Sequence, residues 1–160
     1  MSLQPAKIAT RRLVLAPLDD EVAHAVLAGD FSVLTSADGW PHDDTLDALR
    51  MATAPGAGSL VWLVMLDDVV IGDCGTVGGL DDEGAIEIGY GLAAELRGRG
   101  YGNELVDALS GWLLAQPEVE QVVAREVLAD NVASRRALEN AGFVLEREEG
   151  GLIWYVLHRP

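Results

Sequence analysis

Between Ala85 and Asn103 the apolar repeat changes from two residues to about 3.6 across a turn that carries three glycines, and few folds accommodate that change. Ile86, Ile88, Tyr90 and Leu92 alternate with Glu87, Gly89 and Gly91. This is a strand with one packed face and one face nearly bare of side chains. Beyond the turn, Leu105, Val106, Leu109, Trp112 and Leu113 recur at helical spacing, so a helix is predicted from near Gly100–Gly102 to about Ala115, with Pro117 closing it. The first turn of a helix has four unpaired N–H groups and roughly half a positive charge, so a glycine-rich turn feeding one is a natural seat for an anion, phosphate above all.

Two common phosphate motifs are excluded. A dinucleotide fingerprint requires G-x-G-x-x-G, and counting from Gly98 and Gly100 the third position is Asn103. A nucleotide P-loop requires Gly-Lys, a pair found nowhere in the chain.

Arg97-Gly-Arg-Gly-Tyr-Gly102 does match every fixed position of [Q/R]-x-x-G-x-[G/A], and downstream Asp130-Asn-Val-Ala-Ser-Arg-Arg-Ala-Leu-Glu-Asn-Ala-Gly-Phe143 reads as N-x-x-S followed by a helix ending in Gly-Phe. With the opening Thr10-Arg-Arg-Leu-Val-Leu-Ala-Pro-Leu18, the chain resembles the GNAT acyltransferase superfamily over nearly its whole length, and most closely the branch of ribosomal-protein N-terminal acetyltransferases. The resemblance implies acetyl-CoA as co-substrate without a metal. It also implies a cofactor site made of Gly91, Leu92, Ala93, Arg97, Gly98, Arg99, Gly100, Tyr101, Gly102, Asn103, Asn131 and Ser134. The acceptor would be an amine, on a small molecule or a peptide N-terminus, and the family allows a homodimer.

At 160 residues, about half of them apolar, the whole chain 1–160 reads as one domain able to bury a proper core. No apolar run approaches the ~20 residues needed to cross a bilayer and no leader pattern is visible, so a cytoplasmic location is expected. The formal charge of −15 argues against nucleic acid or an anionic membrane as partner. That charge is uneven: residues 1–90 hold fifteen acids and four bases, and residues 91–160 hold eleven and seven. Arg97, Arg99, Arg125, Arg135 and Arg136 are therefore expected around the phosphate site, with the remainder attractive to a cationic amine. Cys74, the single cysteine, excludes an internal disulfide and reads as a small core hydrophobe.

In chain order, residues 1–10 lack periodicity and read as a frayed end before a strand at 13–18. Helices are predicted from Asp19 to Leu27 and from Asp43 or Asp44 to before Pro55. Strands follow at 60–66 and 69–72, at 74–77 and at 85–92, the first two joined by Asp67-Asp68. After the helix at 102–115 come a strand at 121–128, a helix from Asn131 to Asn140, and a last hairpin of 143–145 with 152–157 around Glu148-Glu-Gly-Gly151. This order gives an α+β domain with one mostly antiparallel sheet of six to seven strands and about four helices. The resemblance adds that the strands at 85–92 and 121–128 run parallel and splay, with the pantetheine arm in the gap.

If the ligand is acetyl-CoA, an amine attacks a thioester, and the protein must keep that amine unprotonated and stabilise the oxyanion. A backbone N–H near Gly91 or Leu92, on a bulged strand, is expected to serve the second task. Glu87, on the sparse face, is the candidate general base acting through water; the other reading is an ion pair. Many GNAT enzymes carry a tyrosine acid where this chain has Leu138, which leaves Ser134 as its substitute in the ribosomal-protein manner or as a first-turn helix residue. Asn131 reads as a helix cap, and the family also uses it on the pantetheine arm. Trp40 and Tyr90 are candidates to line the acceptor pocket, Trp40 alternatively belonging to core or rim. Trp62, Trp112 and Trp154 are assigned to the core, and His24, His42 and His158 have no ligand or triad spacing. Two other functions stay open: a CoA-binding module without catalysis, and transfer of a larger acyl group such as succinyl.

Overall fold

A computed structural model describes residues 3–160. The chain runs β1 (Ile8–Ala9), β2 (Val14–Pro17), α1 (Asp20–Leu27), α2 (Asp43–Thr53), β3 (Val61–Leu66), β4 (Val69–Val77), β5 (Ala85–Leu92), α3 (Tyr101–Leu114), β6 (Gln121–Leu128), α4 (Val132–Asn140), β7 (Val144–Glu149) and β8 (Leu152–His158). A short 3₁₀ turn, Ala94–Leu96, links β5 to α3. The strands form one sheet in the order β1-β2-β3-β4-β5-β6-β8-β7.

The α+β architecture with four helices is as expected, but the sheet has eight strands rather than six to seven. The extra strand is β1, where Ile8–Ala9 pairs with Val14–Leu15 in a segment expected to fray. Two residues are too few for periodicity to register. The stretches 69–72 and 74–77 are one continuous strand, and β7 extends to Glu149 before turning at Gly150-Gly151.

All neighbouring strands are antiparallel except β5 and β6, which pair in parallel only from Ala85↔Gln121 to Glu87↔Val123. Beyond that point β5 keeps its register on β4 as far as Gly72↔Leu92, while β6 departs with β8. A bulge in β6 between Ala124 and Val127, with Glu126 at φ 55°, bends that strand where the separation begins. The splay is therefore present. The bulge expected in β5 is absent from its pairing with β4, which is unbroken from Glu87 to Leu92.

Each face of the sheet carries a helical layer. Ile86, Ile88 and Leu92 of β5 pack with Leu105, Leu109 and Leu113 of α3 and Leu138 of α4. On the other face Ala23, Val26 and Leu49 from α1 and α2 cover Leu63 and Val70. Trp62 is fully buried and meets Trp112 edge-on at 5.3 Å between ring centroids. Trp154 departs from its core assignment: it is half-buried, with the Arg147 guanidinium 4.0 Å above its ring. On β8 the inward positions are taken by Ile153 and Tyr155, so alternation turns Trp154 outward.

Candidate active site

The predicted phosphate turn is exposed and its backbone is open. Gly98 and Gly100 have φ of 75° and 84°, a region that other residues enter only under strain. A Cβ on Gly98 would meet nothing within 4 Å. Gly100 is the N-cap of α3 and has no side chain with which to cap, so the amides of the first turn, at Tyr101, Gly102 and Asn103, receive no side-chain acceptor there. Gly102 lies where α3 passes α4: an added Cβ would stand 4.0 Å from that of Ala137.

Arg12, from the Thr10–Leu18 opening of the chain, braces this turn. Its backbone N–H and its Nε each donate to Glu104 at 2.8 Å, and its Nη1 donates to the Arg99 carbonyl at 3.0 Å. The guanidinium lies 4.5 Å from the centroid of the Tyr101 ring. Thr10 also donates to Glu104. Partial burial pushes the Glu104 carboxyl up, but the bonds from Thr10 and Arg12 outweigh it and hold the group below the usual carboxylate range. The one acid in the first turn of α3 is thereby neutralised where an anion would sit.

The splay exposes one edge of β5. The Ala93 N–H donates to the Ile71 carbonyl at 2.8 Å, with Leu92 opposite Gly72. In an antiparallel ladder this makes Leu92 and Gly72 a non-hydrogen-bonded pair, so the N–H and C=O of Leu92, and of Tyr90 two residues before, turn away from β4 into the gap. Gly91, by the same parity, turns towards Asp73. The Leu92 carbonyl is met by Arg97 Nε at 3.2 Å and by His42 Nε2 at 3.1 Å. On the helical side of the gap the Tyr90 hydroxyl stands 2.7 Å from Ser134 Oγ and donates to the Ser134 carbonyl at 3.2 Å. Burial pushes the Tyr90 phenol up to about 12. The Ser134 N–H in turn donates to Asn131 Oδ1 at 3.2 Å, so Asn131 caps α4 as read. Leu138 is fully buried.

On the opposite face, Glu87, Gly89 and Gly91 lie across from Val77, Gly75 and Asp73, a trough floored largely by glycine. Glu87 at one end accepts from Arg125 Nη1 at 3.2 Å, the ion-pair geometry, with its other carboxylate oxygen uncommitted to that bond. Beside it is a cavity of about 170 Å³ whose lining includes Asp81, Glu83, Glu146 and Trp154. At the other end stands His42, its Cε1 3.6 Å from where a Cβ of Gly91 would be. Periodicity gave His42 no role; the cue it held is the His42-Asp-Asp-Thr45 spacing of a helix start.

Trp40 does not line this trough. It is 5% exposed in the core under α1 and α2, and its Nε1 donates to Asp73 at 2.9 Å. The buried carboxylate gives the indole N–H an inward partner, and the ring follows. Burial raises the Asp73 carboxyl, with the bonds from Thr45 and Trp40 opposing. The arginines do not all gather at the turn. Arg125 is held by Glu87, and Arg135 donates to the Tyr155 hydroxyl at 3.2 Å and the Ala129 carbonyl at 3.0 Å. Among the described residues no group of three or more His, Cys, Asp or Glu is placed to hold a metal ion, and no helix is long and apolar enough to cross a membrane.

Residues 12–144 match the family model described as Acetyltransferase (GNAT) domain. An uncharacterized N-acetyltransferase of Bacillus subtilis (strain 168), YjdG, is 30% identical over 117 residues, covering 68% of this chain and 69% of the relative. Among solved structures, an acetyltransferase from Agrobacterium tumefaciens str. C58 is 26% identical with a TM-score of 0.67, covering 99% of this chain and 97% of that one. RimL, a ribosomal L7/L12 alpha-N-protein acetyltransferase in complex with coenzyme A, is 19% identical with a TM-score of 0.68, covering 96% and 98%. AAC(6')-Ib, in complex with paromomycin and acetyl-CoA, is 20% identical with a TM-score of 0.69, covering 92% and 94%.

Proposed function

The chain belongs to the GNAT acetyltransferase family and is an acyl-CoA-dependent N-acetyltransferase, and on that premise we propose that it transfers acetyl from acetyl-CoA to a primary amine by direct attack on the thioester. The observation that carries this reading is the unpaired edge of β5, with the Leu92 amide turned into the gap and the open turn before α3 joined to that edge by Arg97 on the Leu92 carbonyl. The acyl donor supplies an activated carbonyl and a thiol leaving group; the rest is done by the chain. Amides at Tyr101, Gly102 and Asn103, with Gly98, Arg99 and Gly100, would hold the diphosphate. Gly91, Leu92, Ala93 and Asn131 would flank the pantetheine arm, and the Leu92 N–H would donate to the oxygen on which negative charge develops. Ser134, with Tyr90 beside it, would deliver the proton to the departing thiolate.

Glu87 would take the proton of the incoming ammonium through water, by the carboxylate oxygen that Arg125 does not hold. The acceptor would approach over the glycine trough. A net charge of −15, and Asp81, Glu83 and Glu146 in the cavity that Arg125 also lines, favour a cationic amine, whether an α-amino group, as the name of RimL indicates for that protein, or a small molecule with several amines, as the ligand named for AAC(6')-Ib suggests. A cytoplasmic location and a homodimer belong to the same proposal.

Free CoA thiol released over a panel of α-amino peptides and small amines tests it. Release with at least one amine is expected; none, with CoA still stabilising the fold, supports a binding module instead, a reading favoured by Leu138 at the family's tyrosine position. Thermal shifts with acetyl-, succinyl- and free CoA rank the donors, since ligand at ~100 times its Kd adds ~2.7 kcal/mol.

A further inference from the structure

The ring of His42 is tied at both nitrogens, and the ties fix one of its protons. Nε2 lies 3.1 Å from the Leu92 carbonyl, which only accepts, so Nε2 carries a proton. Nδ1 lies 3.1 Å from Thr45 Oγ1, and that hydroxyl donates to Asp73 Oδ2 at 2.6 Å. Nδ1 is thereby anchored on the start of α2, whichever atom donates in that contact. Nε2–H is committed to the Leu92 carbonyl, so His42 is not the base that receives the proton of the amine.

The need for this contact follows from the splay. Leu92 is 8% exposed, and its carbonyl points to the side from which β6 has departed. A carbonyl at the end of a strand with no neighbour either stays unpaired, at a cost, or finds side chains. His42 and Arg97 supply the bonds that a neighbouring strand would have made, one from α2 and one from the turn.

We propose that His42 is a positioning residue for acyl transfer: locked by Thr45 and Asp73, it holds the Leu92 carbonyl and so keeps the Leu92 amide aimed into the gap. The inference rests on the acetyl-transfer reading. Its rival is a purely local role, since His42 is also the N-cap of α2.

Two substitutions separate these roles. His42→Asn keeps an amide near Thr45 and is a favoured N-cap, but stops short of Leu92; His42→Gln reaches Leu92 and caps poorly. Steady-state kinetics and Tm on the full chain are the readouts. His42→Ala and His42→Asn are expected to lower kcat about 10- to 100-fold with KM for acetyl-CoA nearly unchanged, His42→Asn at native Tm, and His42→Gln to recover most of the rate. Native kcat in His42→Asn or His42→Ala overturns the inference and leaves the transferase reading intact. No turnover by the native chain on any amine overturns both. Nitrogen-15 spectra of the native imidazole give a check that needs no variant: an unprotonated Nε2 on His42 at neutral pH overturns the inference by itself.

Discussion

The hydroxyls of Tyr90 on β5 and Ser134 on α4 stand 2.7 Å apart, bridging from the strand to the helix across the gap left by β6. Neither residue reaches the other by sequence proximity; the sheet edge and the helix start bring them together. In the proposed transfer these hydroxyls would supply the proton to the leaving thiolate. Ser134→Ala is expected to lower kcat by about 10- to 100-fold while CoA-induced stabilisation persists, as measured by thiol release and thermal shift. Tyr90→Phe is expected to lower kcat less, because Ser134 retains its own hydroxyl.

The Tyr90 phenol should resist ionisation. Burial raises it to about 12, against an ordinary value near 10. A raised folded value means that the stability Tyr90 contributes is full below about pH 10 and is lost as pH rises through about 12. In a spectrophotometric titration of native against Tyr90→Phe protein, the difference should appear only near pH 12. Phenolate absorbance from Tyr90 near pH 10 would count against its burial beside Ser134.

The turn before α3 makes a steric prediction that distinguishes binding from folding. Gly102 has room for a methyl group, with Ala137 at 4.0 Å, so Gly102→Ala should keep the native Tm in the absence of ligand. If a diphosphate approaches that backbone closely, the same methyl should reduce the thermal shift produced by CoA. Gly100→Val, at φ 84° and with Arg12 Nη2 3.1 Å from the added Cβ, should lower the Tm itself and abolish the CoA shift. Unchanged CoA shifts in both variants would move the phosphate site elsewhere.

Arg12 pairs with Glu104 beside the glycine turn, so its removal should do more than delete a positive charge. Arg12→Ala is expected to weaken CoA binding by about tenfold or more and to lower the Tm at neutral pH. Glu104 has a depressed folded value, so the stability it contributes is present above the ordinary carboxylate range and is lost as pH falls through the lowered value. Without Arg12 the folded value moves back toward the ordinary range, so the stability deficit of Arg12→Ala should be largest at neutral pH and shrink in acid. Pairing Arg12→Ala with Glu104→Gln should restore part of the affinity, and purely additive effects in that double-mutant cycle, read by calorimetry, would reject this role of the pair.

Glu87 can be tested by the dependence of rate on pH. If it receives the ammonium proton, Glu87→Gln should lower kcat/KM most where the amine is protonated, and the deficit should shrink as pH passes the amine's own value, about 8 for an α-amino group and about 10.4 for lysine. A deficit constant over that range would assign Glu87 to holding Arg125, its partner at 3.2 Å.

Repeats within one element could be read from the chain alone. The alternation in β5, the helical spacing of α3 and the glycines of the turn each depend on residues within a dozen positions, and local geometry is enough to impose them. The glycine turn before α3, the Asn131 cap and the α+β order were legible for that reason. What the sequence could not display are partnerships set by register and by which face a strand turns. Arg12 meets Glu104 across 92 residues, His42 meets Leu92 across 50, and Tyr90 meets Ser134 across 44. Trp40 could read as pocket lining or as core, and Asp73 decides for the core by giving its indole a buried partner. Such contacts arise because a departing strand leaves polar backbone without neighbours, and only the assembled sheet determines which side chains are near enough to take their place.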